Sequence, residues 1–192
     1  MQNAAVSNPS PMKKIVWTFG LISAAIMALF MFATLPFIKT LSDHSYVVGY
    51  TGIVAAFLMV YFGVRSYRDN VLGGSIGFGR ALTVGLLIAI IGSIGYVATW
   101  EVLYFKFMPD FYSKYAQSTV DQARKNGKSE AEIANTRATM EAMTKNAENP
   151  MWVAATTFIE PFPVGLLIAL VSAGVLRRKR DSRDARTSES TA

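Results

Sequence analysis

Cysteine is absent from the 192 residues, and histidine occurs once, at His44. The first absence removes disulfides, thiolate nucleophiles, cysteine-type zinc sites and iron-sulfur clusters together. The second argues against a histidine-rich metal or haem site within one subunit. Charge is scarce as well: 17% of residues are charged against 52% hydrophobic, with a mean hydropathy of +0.30, too little polar side chain to coat a soluble globule. Neither His-Glu-x-x-His nor Gly-x-x-x-x-Gly-Lys-Ser/Thr occurs. No enzymatic activity, metal or cofactor is therefore expected, and carboxylates, hydroxyls and basic groups are left to carry any chemistry.

What the chain does have is four long apolar runs, each close to the roughly 20 residues that cross a bilayer. The first, Ile15 to Ile38, holds 24 residues without a charge, after Lys13 and Lys14 and before Lys39. It exceeds the apolar region of a signal peptide, about 7 to 15 residues, so it is expected to be an uncleaved anchor. Met12 would serve as well as Met1 for a start, with the residues ahead of it a disordered tail. Tyr46 to Val64 and Ala81 to Trp100 are the next two runs, 19 and 20 residues long; the third span is placed at 81–104. The fourth, Met151 to Leu176, carries Glu160-Pro161-Phe162-Pro163, where each proline removes a donor and disfavours helix before it. Two outcomes are open, a bent helix or a turn before a crossing that starts at Pro161, and the bend is preferred.

Four crossings put both termini on one side, and the positive-inside rule selects it. Lys13 and Lys14, Arg65, Arg68 and Arg80, and Arg177, Arg178, Lys179, Arg180, Arg183 and Arg186 group together. These are assigned to the cytoplasm, with 177–192 a basic cytoplasmic tail. The seven basic residues within 106–150 are nearly cancelled by Asp110, Asp121, Glu130, Glu132, Glu141 and Glu148. The net charge of +6 and pI of 9.6 are then products of topology, and no nucleic-acid partner is expected. The partner that follows is the lipid bilayer, together with a second copy of the chain or another membrane protein.

Residues 106–150 are expected to form a helical hairpin on the outer side. Pro109 can open a helix whose face carries Tyr112, Ala116, Val120 and Ala123, and Gly127 can stop it in the left-handed conformation. Ser129 and Glu132 make a capping box for a second helix, with Ile133, Met140 and Met143 on one face and Asn149-Pro150 at its end. The expected fold is all-α: a four-helix transmembrane bundle with a helical-hairpin insert between spans three and four.

Several of these features occur together in one family. Trp100-Glu101, Pro109-Asp110-Phe111 with Tyr115, the Gly127-Lys128-Ser129-Glu130 break, Met140 to Asn149-Pro150, a proline-bearing fourth span, and Gly73-Gly74 with Phe78 and Ala81 are the relevant residues. Residues 12 to about 180 resemble the bacterial membrane proteins grouped as domain of unknown function 4199. The resemblance implies a four-helix protein of the bacterial inner membrane with a helical insert, and no chemistry.

The candidate polar site is Glu101 and Glu160 with Thr156 and Thr157. An acid inside the bilayer is costly and is a functional suspect by default. Glu101 lies between Trp100 and Tyr104, which suits the interfacial belt. Glu160, beside freed backbone carbonyls, is similar to the broken-helix ion sites of transporters, and a structural kink explains it equally well. Small residues at four-residue spacing (Gly20, Ala24, Ala28; Ala81, Gly85, Ala89, Ser93; Gly165, Ala169, Ala173) mark helix contacts. The second series continues through Val97 to Glu101, so if the series faces the bundle, Glu101 does too. Gly73, Gly74, Gly77 and Gly79 are expected to make a turn, and His44 to be solvated. The function that follows is an accessory or structural membrane component, with a small transporter or channel subunit using Glu160 and Glu101 as the alternative.

Overall fold

The computed structural model describes residues 11–35 and 45–178. Residues 1–10, the end of the first apolar run with Lys39 and His44, and the basic tail from Lys179 lie outside them. Among the described residues the structure is all-helical, with a single isolated bridge in place of strands. The helices are α1 (Pro11–Thr34), α2 (Ser45–Asn70), α3 (Phe78–Val102), α4 (Phe111–Lys125), α5 (Glu130–Asn146), α6 (Pro150–Phe158) and α7 (Pro161–Leu176). Four helical stretches are long and apolar enough to cross a membrane: Pro11–Thr34, Val47–Asn70, Phe78–Phe107 and Pro150–Leu176. Helix α1 takes in Pro11 and Met12, which were expected to lie ahead of it; proline is well tolerated in a first turn, where its missing N–H has no partner to lose. The chain divides into two compact units, one of residues 97–160 and one of the remainder.

In the larger unit, glycines set how the helices meet. Gly20 and Gly95 lie against Ile91 and Ala24, so α1 and α3 run parallel. Gly52 meets Phe30 and Gly63 meets Phe19, so α2 runs against α1. Gly85 and Gly165 meet Ala169 and Ala89, so α7 runs against α3. The result is an up-down-up-down bundle. At its centre the Phe57 ring, fully buried, fills the space that Gly92 and Gly165 leave: a methyl group on Gly165 would stand 2.9 Å from both that ring and the Ala89 Cβ. Ser23 and Ser93 are fully buried there, and neither hydroxyl has a hydrogen-bond partner among the described residues.

Two glycines earn their place through backbone conformation at the end of α2. Gly73 (φ 65°) and Gly74 (φ 92°) adopt the left-handed region, and Gly74 N–H donates to the Arg68 carbonyl at 2.9 Å, closing the helix. The loop is then pinned by reciprocal bonds between Ile76 and Arg178, at 3.1 and 3.0 Å. The start of α1, the α2–α3 loop and the end of α7 therefore share one end of the bundle.

The smaller unit contains α4, α5, α6 and the last turns of the third span. Helix α4 buries the Tyr112 and Val120 side, with Ala116 and Ala123 partly covered. It starts at Phe111, two residues beyond Pro109, which sits in the preceding turn. Gly127 (φ 67°) ends it. Ser129 then caps α5: its hydroxyl accepts from the Glu132 N–H, and the Glu132 carboxylate accepts from the Ser129 N–H at 3.0 Å. Helices α4 and α5 pack on each other.

The fourth apolar run is interrupted. Helix α6 ends at Phe158, Ile159 and Glu160 form a turn, and α7 starts at Pro161. Pro161 and Pro163 cannot bond back to the carbonyls of Thr157 and Ile159. Glu160 N–H takes the Thr157 carbonyl instead, at 3.3 Å, in a tighter turn. The preferred unbroken bend thus gives way to two helices, while Pro150–Leu176 remains one candidate crossing.

Two measurements test this account. Gly165→Val should lower bundle stability by about 1–3 kcal/mol, the usual cost of overpacking. Gly174→Val, where a new Cβ would have nothing within 4 Å, should be near neutral. Thermal unfolding in detergent compares the two, and equal effects would count against the Phe57 contact. In the insert, Ser129→Ala should cost about 1 kcal/mol of local helix stability, typical of a lost cap, seen as faster amide exchange at the start of α5. The Lys128 ammonium, then the Ser129 N–H and hydroxyl, hold Glu132 down to about 2 from an ordinary 4.5. A lowered carboxylate pKa stabilises above its ordinary value, so this contribution is complete above about pH 4.5 and is lost as pH falls through about 2.

Candidate functional site

The site is built where the third span ends. Trp100, Glu101 and Tyr104 occupy the last turns, and Leu103–Phe107 widens into a π-helical turn. Met108 N–H closes that turn on the carbonyls of Leu103 and Tyr104, at 2.9 and 3.3 Å. One turn with an extra residue re-aims the chain, and α4 begins three residues after Met108. Its first turn brings Phe111 and Tyr112 back onto the aromatic residues just left. Trp100 meets Phe111 edge-on at 4.9 Å, and Tyr104 meets Tyr112 likewise at 4.9 Å. Such edge-to-face pairs are favoured by ring quadrupoles. Helix α6 supplies the remaining wall: Val153 is fully buried, and Trp152 stands 6.2 Å from Tyr112. Asn149 fixes the start of that helix by accepting from the Met151 N–H at 2.9 Å, ahead of Pro150 in the first turn.

Tyr112 is the hub. It is buried, and burial, as the first cause, raises its hydroxyl above the ordinary value of 10.0. The charges of Glu101 and Glu160 add to the rise, while hydrogen bonds with Trp100 and Thr157 oppose it. A rise from two carboxylates means that both lie close enough for their fields to reach one phenol. Glu101, Glu160 and Thr157 thus all bear on the hydroxyl of a residue that the sequence placed only on a helix face. Thr157 is itself buried. The signal available in the sequence was the clustering of Trp100, Tyr104, Phe111, Tyr112 and Trp152 about two acids.

Thr156 plays a different part. Its hydroxyl is spent on its own helix, donating to the carbonyls of Trp152 at 2.8 Å and Val153 at 3.1 Å. Back-bonding of this kind bends helices, which suits a residue two positions before α6 ends. The series from Ala81 to Glu101 also reads differently in three dimensions. Ala81, Gly85, Ala89 and Ser93 are buried in the bundle. Four-residue spacing gains about 40° at each step on a 3.6-residue helix, so five steps turn through about 200°. Glu101, at the end of the series, belongs to the smaller unit, where its charge adds to the rise at Tyr112. The glycines after α2 close a helix, and His44 lies outside the described residues.

Glu101 is the unusual member. One of its carboxyl oxygens, Oε1, is buried and has no hydrogen-bond partner among the described residues. An orphaned buried acceptor costs about 1–3 kcal/mol. Glu101→Met, similar in length and apolar, should then raise the unfolding temperature in detergent, by the equivalent of about 1 kcal/mol. A clear loss of stability would show that the carboxylate supports the fold.

No curated protein and no solved structure matches the chain significantly. Residues 18–178 match the family described as Protein of unknown function (DUF4199). The match runs from the first span to the Arg178 bridge, taking in the whole insert and Tyr112 with Glu101, Thr157 and Glu160, and the chain belongs to this family.

Proposed function

We propose that the chain is a non-enzymatic integral component of a bacterial cytoplasmic membrane, serving an accessory or structural role. The observation that carries this reading is the closed interior of the bundle, where Phe57 packs against Gly92 and Gly165, Gly165 meets Ala89, and Gly95 lies directly on Ala24. Helices in such contact enclose no lumen. The working part is then the insert, α4 with α5, and its partner is a second copy or another membrane protein. Orientation rests on the shared end of the bundle, where Lys13, Lys14, Arg65, Arg68, Arg80, Arg177 and Arg178 gather. By the positive-inside rule this end is cytoplasmic and the insert faces outward.

A second reading, a subunit of a small transporter or channel, draws on the Tyr112 cluster. Two carboxylates about one phenol can hold and pass a proton, and a carboxyl oxygen kept without a partner is a stability cost that function can explain. Four helices enclose little space alone, so transport requires a path formed between copies or beside a partner.

Reconstitution separates the two. Proteoliposomes holding the purified protein and a lumenal pH dye should leak protons no faster than empty liposomes. Flux that depends on the protein and falls on Glu160→Gln or Tyr112→Phe would overturn the accessory reading in favour of the second. Orientation is checked in intact cells: with no native cysteine in the chain, a single cysteine at Asn126 should react with an impermeant reagent added outside.

A further inference from the structure

We propose that the groove between α1 and α2 at the basic end binds one anionic glycerophospholipid, with its phosphate on Arg65 and one acyl chain along Phe19, Met59 and Phe62. The groove has a volume of about 430 Å3 and is lined by those three apolar residues with Arg65, Ser66, Asp69 and Asn70. Its two halves match the two halves of a lipid. Along α2, Met59 to Asn70 rises about 16 Å at 1.5 Å per residue, close to the depth of one leaflet, about half of a 30 Å hydrocarbon core. Apolar side chains occupy the deep part, and the polar ones stand together at the mouth.

The mouth is set to receive an anion. Asp69 is already engaged by Arg68, through Nε at 2.6 Å and Nη2 at 3.2 Å. Arg65 approaches the same carboxylate only to 3.5 Å, long for an N–H···O bond. Most of its donor capacity is left for another acceptor, and its side chain is 55% exposed. A guanidinium with spare donors fits a phosphate better than a point charge does. Ser66 is turned to the same purpose: Asn70 donates to its oxygen at 3.1 Å, leaving the hydroxyl proton to be given onward. Seven basic residues against Asp69 leave this end with six net positive charges among the described residues. That field selects a lipid with net negative charge over a zwitterionic one.

The test is native mass spectrometry of the full chain released from mild detergent, titrated with phosphatidylglycerol, phosphatidylcholine or glycerol 3-phosphate. The first phosphatidylglycerol should bind at least about fivefold more tightly than phosphatidylcholine, and glycerol 3-phosphate should not compete, because it lacks the acyl chain. Arg65→Gln should erase that preference. Arg178→Gln, which removes one charge from the same end and keeps the backbone bridge, should change it by less than about twofold. Phe62→Trp, which keeps every charge and fills the groove, should weaken both lipids. Equal binding of the two lipids, an unchanged preference in Arg65→Gln, or equal losses in Arg65→Gln and Arg178→Gln would each overturn the site in favour of diffuse attraction. Competition by glycerol 3-phosphate would replace the lipid with a soluble phosphate and overturn it too. Unfolding temperatures recorded alongside identify a variant that has lost its fold; if Arg65→Gln is such a variant, unaltered lipid binding by Phe62→Trp overturns the proposal.

Discussion

Close approach of helix backbones is the constraint on which this protein rests. In hydrocarbon, Leu gains nothing by leaving lipid for another helix, so association depends on packing contact. Gly95 on Ala24, Gly20 on Ile91 and Gly165 on Ala89 provide that contact, and Phe57 fills the room that glycines leave. Everything else in the larger unit follows from the directions these contacts fix. They bring three chain segments to one end, where the glycine stop after α2 and the Ile76–Arg178 bridge tie loop to helix end. The basic residues meet there because of it, and so does the groove whose mouth is Arg65.

The smaller unit solves a different problem, burying aromatic surface where the third span ends. A π-helical turn and a short link let α4 return Phe111 and Tyr112 onto Trp100 and Tyr104. The rings make a small core with Val153 and Ala147, and Tyr112 sits within it between the fields of two acids. Packing and polarity are combined at this point at a cost: the Glu101 oxygen has no hydrogen-bond partner among the described residues. Elsewhere in the insert polar groups are paired cheaply. Lys114 with Asp110 and Arg124 with Asp121 are exposed contacts within one or two turns, of the kind that contribute little to stability.

Much of this was legible because it is local. Apolar length marks a crossing wherever it occurs, a serine three residues before a glutamate marks a helix start, and a glycine between polar runs marks a stop. Each was found where the residue types required it, at the four spans, at Ser129 and at Gly127. The small-residue stripes were equally visible, since only small side chains permit the contacts that they make. The fourth span shows the limit of local rules. Two prolines announced a disturbance, but whether the ladder bends or breaks depends on where the freed carbonyls find donors, and the Glu160 N–H decides it by taking Thr157.

Tyr112 could not be singled out in advance, since a tyrosine on an amphipathic face is ordinarily packing, and its neighbours come both from the end of the third span and from α6, forty residues further on. Glu101 was legible as an acid at the end of a span beside Trp100, but its field at Tyr112 was not, because Tyr112 lies on another helix. Thr156 and Thr157 looked equivalent as neighbours, yet one spends its hydroxyl on its own backbone and the other is buried beside Tyr112. The sequence by itself determined the class of protein, the number of crossings, the insert and its caps, because hydropathy, proline, glycine and capping act over a few residues. Only the tertiary structure decided which polar groups share a site, because that depends on the angle at which each helix presents a side chain and on which distant backbone it meets.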